Sequence, residues 1–255
     1  WLAVVRNVAE AQGFFHWELD FATVFARGGF DLQVGNPPWV RPDVSVETLL
    51  ADGDPWWMLT KKPSLADRHE RLPRTLTRPG ILAAVLDGAA ETGVLAEFIS
   101  DQTVYPIMEG RPDLYRAFMC QVWEHQDDRG ISSLIHMETH FTDAKTPGLR
   151  AATYRHLRRH WQFSNDLLLF DVDNHIRYGI HVYGTERTPS FLHATSLYHP
   201  ETVQRSLVHD GSGEEPGFKD PHTETWDLRP HAARIQHVHR QSRQGSLRRS
   251  PGPGR

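Results

Sequence analysis

The chain has 255 residues, 39% of them hydrophobic, and a formal net charge of -4. That length holds one large domain or one and a half, and the slightly acidic balance demands no polyanionic partner, although a local basic face stays open. The single cysteine, Cys120, excludes an internal disulfide framework and suits a reducing compartment. No apolar run reaches a membrane-spanning length, so the expectation is a cytoplasmic chain with no membrane partner. It opens at Trp1 in mid-pattern, without a signal peptide, and is read as part of a longer protein.

Residues 2–11 place apolar side chains at helical spacing. Residues 14–25 (FFHWELDFATVF) alternate with a period near two and predict a strand or an extended segment packed on a sheet. Gly28-Gly29 is a turn. Phe30, Leu32 and Val34 then alternate with polar residues up to Gly35, which predicts a short buried strand. Pro37 and Pro38 follow; neither has an N–H and both fix φ, so the ladder must stop at Asn36. The chain leaves as a stiff turn carrying an amide side chain, two carbonyls and the ring of Trp39. In open α/β sheets, ligands sit at this carboxyl edge.

From 45 to 110 no good strand is found. Short helices are predicted at 46–51, 65–76, 80–90 and 92–100, punctuated by Pro55, Pro63, Pro73, Pro79 and Pro106. This is a helical insertion, with Trp56 and Trp57 as its core aromatics. A stronger helix is predicted over 112–126, with Pro112 in its first turn and Leu114, Tyr115, Phe118 and Val122 on one face. Residues 130–136 read as a buried strand. Residues 146–160 read as a basic amphipathic helix whose Arg150, Arg155, Arg158 and Arg159 make a solvated face or touch phosphates. Strands over 161–170 and 178–183 pair antiparallel around 171–176, and 191–196 is a further strand. Beyond Pro200 the periodicity fades. Residues 197–228 are irregular, and 229–255, rich in Arg, Gly, Ser and Pro without an acidic residue, read as a disordered basic tail.

Strand, helix, strand, helix and paired strands argue for an α/β sheet with an antiparallel end. On that frame Asn36-Pro37-Pro38-Trp39 resembles the catalytic motif of the amino-group DNA methyltransferases, (Asp/Asn/Ser)-Pro-Pro-(Tyr/Phe/Trp). The run FHWELDFATVFARGGFDLQVGNPPW resembles the adenine-specific methylases of the Eco57I-like restriction-modification group. The segments DLYRAFMCQVWEH, ISSLIHMETHFTD and LRRHWQFSNDLLLF follow in that family's order, so the resemblance spans about 14–184.

The resemblance implies a partial class I S-adenosylmethionine-dependent methyltransferase sheet, Rossmann-like, over 1–196, with the insertion at 45–110 and a candidate start of a target-recognition region at 197–228. It implies transfer of a methyl group from S-adenosylmethionine to the N6 amine of an adenine flipped out of double-stranded DNA, within a restriction-modification or phage-defence system. Asn36, Pro37, Pro38 and Trp39 would be the catalytic residues; Trp39, with Tyr178 as a second aromatic, would contact the base. The family's glycine-rich cofactor loop does not precede Phe30. The cofactor half is expected upstream, no cofactor residue is assigned here, and whether this chain alone is active stays open, as does its oligomeric state.

The chemistry is sound without the family. An adenine amine is a poor nucleophile because its lone pair is delocalised into the ring. Two rigid acceptors, the Asn36 side-chain oxygen and the Pro37 carbonyl, would draw its N–H groups and localise that lone pair. The base must first leave the stack.

Three other readings remain open. The tetrad is a turn with a packed tryptophan; the chain is a DNA-binding remnant without a cofactor site; or it is a metal-dependent hydrolase using His136 and His140, four apart, with Glu138 as a base. The last departs from His-Glu-x-x-His spacing and begins at a strand end, and the main reading carries no metal.

Overall fold

The computed structural model describes residues 1–239 apart from 14, 44, 111–112 and 221–222, and leaves out the side chain of Gln12. Six strands make one open sheet: β1 (Phe30–Gly35), β2 (Gln126–Met137), β3 (Leu157–Ser164), β4 (Arg177–Tyr183), β5 (Ser190–Leu197) and β6 (Gln236–His239). Their order is β1-β2-β4-β3-β5-β6. β1 runs parallel to β2, because the connection between them carries the insertion and the helix Leu114–Glu124, long enough for a crossover. β4 lies antiparallel to both β2 and β3, which share a direction, and β5 is parallel to β3. The chain is thus a mixed α/β protein, consistent with a Rossmann-like sheet that has an antiparallel end.

Side chains alternate between the two faces of the strands, and each face has its own core. On one face Tyr115 and Met119 of Leu114–Glu124 pack on Leu134, Leu157, Tyr183 and Phe191. On the other, Trp161, Phe163, Tyr178, Ala194 and Leu197 meet Val203 of the helix Pro200–Ser206. The insertion has a small core of its own around Leu50, Trp57 and Ile81. There the Trp57 indole donates to Thr75 Oγ1 at 2.9 Å. Arg71 forks onto Asp54 at 2.6 and 3.1 Å and holds that carboxyl at about 2.

The insertion leaves and rejoins the sheet at one neck. The Leu114 N–H donates to Val40 O at 3.0 Å, and Arg41 Nε lies 2.5 Å from Asp113 Oδ1. Asp113 also meets Arg116 Nε at 3.1 Å, and Arg116, 1% exposed, reaches Asp143 at 3.0 Å.

Several sequence expectations change. Residues 15–25 do not extend. They form the short helices Trp17–Asp20 and Ala22–Phe25, whose aromatics Trp17, Phe21 and Phe25 cluster around Phe30; ring packing outweighs the period-two pattern. β1 is an edge strand rather than a buried one. Leu32 and Val34 are 64% and 76% exposed, while the Gln33 amide faces the following helix and donates to Val122 O at 2.7 Å. The two helices predicted at 80–90 and 92–100 run as one, Ile81–Ser100. The predicted basic helix ends at His156, and β3 starts at Leu157 and stops at Ser164. Nor does the basic tail begin at 229. Arg229 clasps Asp227 at 2.7 Å, and Gln236–His239 adds to the sheet antiparallel to β5. The rest of the expected tail, 240–255, lies outside the described residues.

Truncating Arg116 leaves Asp113 buried without its inner partner. Arg116→Ala is expected to lower unfolding free energy by about 3–5 kcal/mol, the range for breaking a buried ion pair by removing one member. Urea denaturation followed by tryptophan fluorescence measures it.

Candidate functional site

The turn after β1 sits at the carboxyl ends of two parallel strands. Asn36 and Pro38 are exposed, Pro37 is buried and Trp39 half-buried. The Trp39 indole N–H donates to Ile135 O, near the end of β2, at 3.1 Å. Its ring stacks on Tyr178 with centroids 5.8 Å apart and lies 5.5 Å from Phe170. Among the described residues, no hydrogen-bond donor meets the Asn36 side-chain oxygen or the Pro37 carbonyl. A cavity of about 440 Å³ adjoins Gly35, Asn36, Pro37 and Pro38.

The predicted catalytic residues Asn36, Pro37, Pro38 and Trp39 therefore present two unpaired acceptors beside an anchored aromatic. Tyr178 plays another part than the one expected of it. It is 3% exposed, with Phe163 stacked at 5.5 Å on the ring that also meets Trp39. It buttresses Trp39 and offers no free face to a base. Phe170 completes the packing, and sequence reasoning missed it. Asn165 delivers it by accepting from the Phe170 N–H at 3.1 Å and donating to the carbonyls of Phe170 and Val172 at 3.0 and 2.8 Å. The only cue was an asparagine after a strand, a common turn signal.

The arginines of 146–160 do not share one face. Arg150 caps the Asp143 carbonyl at 2.9 Å, Arg155 pairs with Glu186, and Arg158 donates to the His156 carbonyl at 2.9 Å from β3. The glycines before β1 make no cofactor cradle either. A Cβ at Gly28 would run into Asp127 and one at Gly29 into the His125 carbonyl, so the pair forms a filled turn. The described residues thus do not by themselves fit S-adenosylmethionine.

Histidines line the opposite face of the sheet. His136 on β2, His181 on β4, His160 on β3 and His193 on β5 lie on neighbouring strands, with His160 directly opposite both His181 and His193. His136 and His181 stack at 3.9 Å. The expected His136/His140 ligand pair does not form on one helix turn, although the two rings meet edge-on at 5.2 Å. His136 is on a strand and His140 on the next helix, Thr139–Thr142. Both His136 nitrogens are also occupied, Nδ1 against Met137 O at 2.9 Å and Nε2 against Tyr183 Oη at 2.8 Å. Glu138 instead faces His160 Nε2 at 2.9 Å and His181 Nε2 at 3.1 Å, partners that the spacing of the sequence did not reveal.

Burial disfavours charge on His136, His140, His181 and His193. His136 and His140 are pushed well below the ordinary imidazole value, and His181 is pushed down to about 4. Burial also opposes ionisation of Glu138, but the hydrogen bond to His160 and the close approach of His181 outweigh it and hold the carboxyl below its usual range.

No family model matches the chain, and no curated protein matches it. Solved structures similar to it include three restriction-modification or restriction enzymes. One is the ATP-dependent Type ISP restriction-modification enzyme LlaBIII bound to DNA, at 12% identity and TM-score 0.33, covering 66% of this chain and 10% of that one. Another is a nuclease-deletion mutant of the Type ISP restriction-modification enzyme LlaGI with a DNA substrate mimic, at 11% identity and TM-score 0.29, covering 64% and 12%. The third is the type IIG restriction endonuclease BpuSI, at 13% identity and TM-score 0.32, covering 62% and 17%. The chain therefore spans between 10% and 17% of the length of these proteins.

The histidine face sets a pH dependence for the metal-free chain. His181 has a folded pKa below its ordinary 6.5, so the unfolded chain takes up the proton first. Its contribution is complete above pH 6.5 and is lost as pH falls toward 4, a loss of about 3 kcal/mol from this one ring, with His136 and His140 acting in the same direction. Urea midpoints measured from pH 7.5 to pH 4.5 are expected to fall steadily, with the decline beginning near 6.5; a flat profile would contradict it.

Proposed function

We propose that this chain carries the amine-presenting part of a DNA adenine N6-methyltransferase of a restriction-modification or phage-defence system. One observation carries the reading. β1 stops at Gly35 and places two unpaired acceptors, the Asn36 side-chain oxygen and the Pro37 carbonyl, beside an aromatic ring tied to the end of the neighbouring parallel strand. An exocyclic amine entering here would donate one N–H to each acceptor. Its nitrogen would turn toward sp³ and regain a lone pair. The prolines hold both acceptors before the base arrives, so no reorganisation is needed at the reacting atom. Trp39, clamped by Ile135, Tyr178 and Phe170, would support the flipped base by one ring face or edge.

The methyl donor of this reading is S-adenosylmethionine, implied by the resemblance. Its site is not built by the described residues, and no step here runs through it. The partner of this reading is double-stranded DNA, and its complete site requires a cofactor half that the described residues do not supply. Among the described residues no helix is long and apolar enough to cross a membrane. The hydrolase reading through His136 and His140 is set aside, since both His136 nitrogens are already paired although the two rings touch edge-on.

In an enzyme containing this segment and its cofactor half, Asn36→Ala is expected to lower labelled methyl incorporation into adenine N6 on the order of 100-fold or more, the usual effect of deleting one preorganised polar group. Asn36→Asp keeps an acceptor and is expected to retain measurable transfer. Unchanged transfer by Asn36→Ala would defeat the proposal.

A further inference from the structure

Glu138, just past the end of β2, and His160 and His181, within β3 and β4, converge on the sheet face away from Trp39. Glu138 follows β2, and His160 and His181 are direct cross-strand partners on β3 and β4. One donor atom from each lies within 4.8 Å of the others. Zinc at about 2.0–2.2 Å from oxygen and nitrogen donors sets tetrahedral ligands about 3.3 Å apart. The separations of Glu138 Oε1 from the two Nε2 atoms, 2.9 and 3.1 Å, are close to that.

Three further features point to a ligand rather than to a plain ion pair. First, His181 is fully buried, yet neither ring nitrogen makes a well-directed hydrogen bond. Its Nε2 is close to the Glu138 oxygen but misaligned for N–H···O. His140, also fully buried beside this ring, has both nitrogens without a described partner. Buried polar atoms are rarely left so. Second, position 179 must be glycine for the approach. A Cβ there would overlap Glu138 Oε1 and His181 Cε1. Third, the carboxylate is oriented from behind. Gln162 Nε2 donates to Glu138 Oε2 at 3.1 Å, and the Thr195 hydroxyl donates to the side-chain oxygen Oε1 of Gln162. Metal-binding carboxylates are commonly held by such outer hydrogen bonds.

The cluster also has an open side. Glu138, His160, Gln162 and His193 line a cavity of about 970 Å³. Two imidazoles and one carboxylate with free positions make a borderline-soft site that suits Zn²⁺, Fe²⁺ or Co²⁺ over Mg²⁺ or Ca²⁺. We propose that Glu138, His160 and His181 form a three-ligand divalent transition-metal site whose remaining coordination positions face this cavity. The site is independent of the reading of the Asn36 turn, since none of its three residues lines the cavity beside that turn.

The purified chain, stripped with a chelator, is titrated with Zn²⁺ by calorimetry and with Co²⁺ by visible absorption. One saturable equivalent is expected, with the d–d bands of a four- or five-coordinate site and a thermal midpoint that rises with metal and returns with EDTA. In NMR spectra of the same chain, the His160 and His181 ring resonances move first. Glu138→Gln and His160→Asn are each expected to weaken binding more than about 10-fold, beyond the low end of what loss of a supporting residue alone causes. A His237→Ala, His239→Ala variant should bind as the parent does. Absence of saturable binding overturns the proposal, as does binding that survives both ligand substitutions, disappears with His237 and His239, or shifts other histidines first. Should the substituted chains fold poorly, the parent titration and its NMR shifts decide alone.

Discussion

A single buried carboxylate holds the two ends of the insertion to the sheet. Asp113 is 5% exposed and shared between Arg41, just after the Asn36 turn, and Arg116, inside the helix that covers β2. Between these points lies a helical excursion with its own core, which could otherwise drift relative to the strands. The clamp brings its exit back beside its entry and lets Leu114 donate to Val40. The turn after β1 is thereby fixed at both ends, by the β1–β2 ladder before it and by Asp113 after it. A charge in this place is costly to bury alone, so the two guanidinium groups and the carboxylate depend on one another.

The sheet then acts as a partition. Because side chains alternate along a strand, Ile135, Tyr178 and Phe163 face the side where Trp39 docks, while His136, His181 and His160 face the other. Two chemically unlike surfaces share the same strands. One is a stack of aromatic rings that gives Trp39 a fixed orientation. The other is a row of imidazoles around a carboxylate, polar groups placed where a packed sheet ordinarily holds aliphatic ones. Burial keeps most of these rings neutral, and neutral imidazole is the form that can accept a proton bond or a metal.

The local chemistry of the chain was legible in its letters. Two prolines after an alternating run must end a strand, and Asn36 must then stand at its carboxyl edge. The helix over 114–124, the strands around 130–136 and 178–183, and the antiparallel pairing of the last with β3 followed from periodicity and turn residues. Where the reading failed, a distant contact overrode a local pattern. Residues 15–25 alternate like a strand but coil into short helices because their rings gather on Phe30. His136 and His140 look like a ligand pair by spacing, yet the strand ends between them, and although their rings touch, Met137 and Tyr183 already occupy the His136 nitrogens.

What the sequence determined by itself was the sequence of elements and the acceptor-rich turn, because backbone stereochemistry at Pro37 and Pro38 acts over two or three residues. What only the tertiary structure decided was partnership. Tyr178 became a buttress for Trp39 because cross-strand register set it against Phe163 as well. Glu138 met His160 and His181, 22 and 43 positions away, because β4 inserts between β2 and β3 and aligns their ends. Strand order and register are long-range pairings, and a one-residue slip would send every one of these side chains to the opposite face.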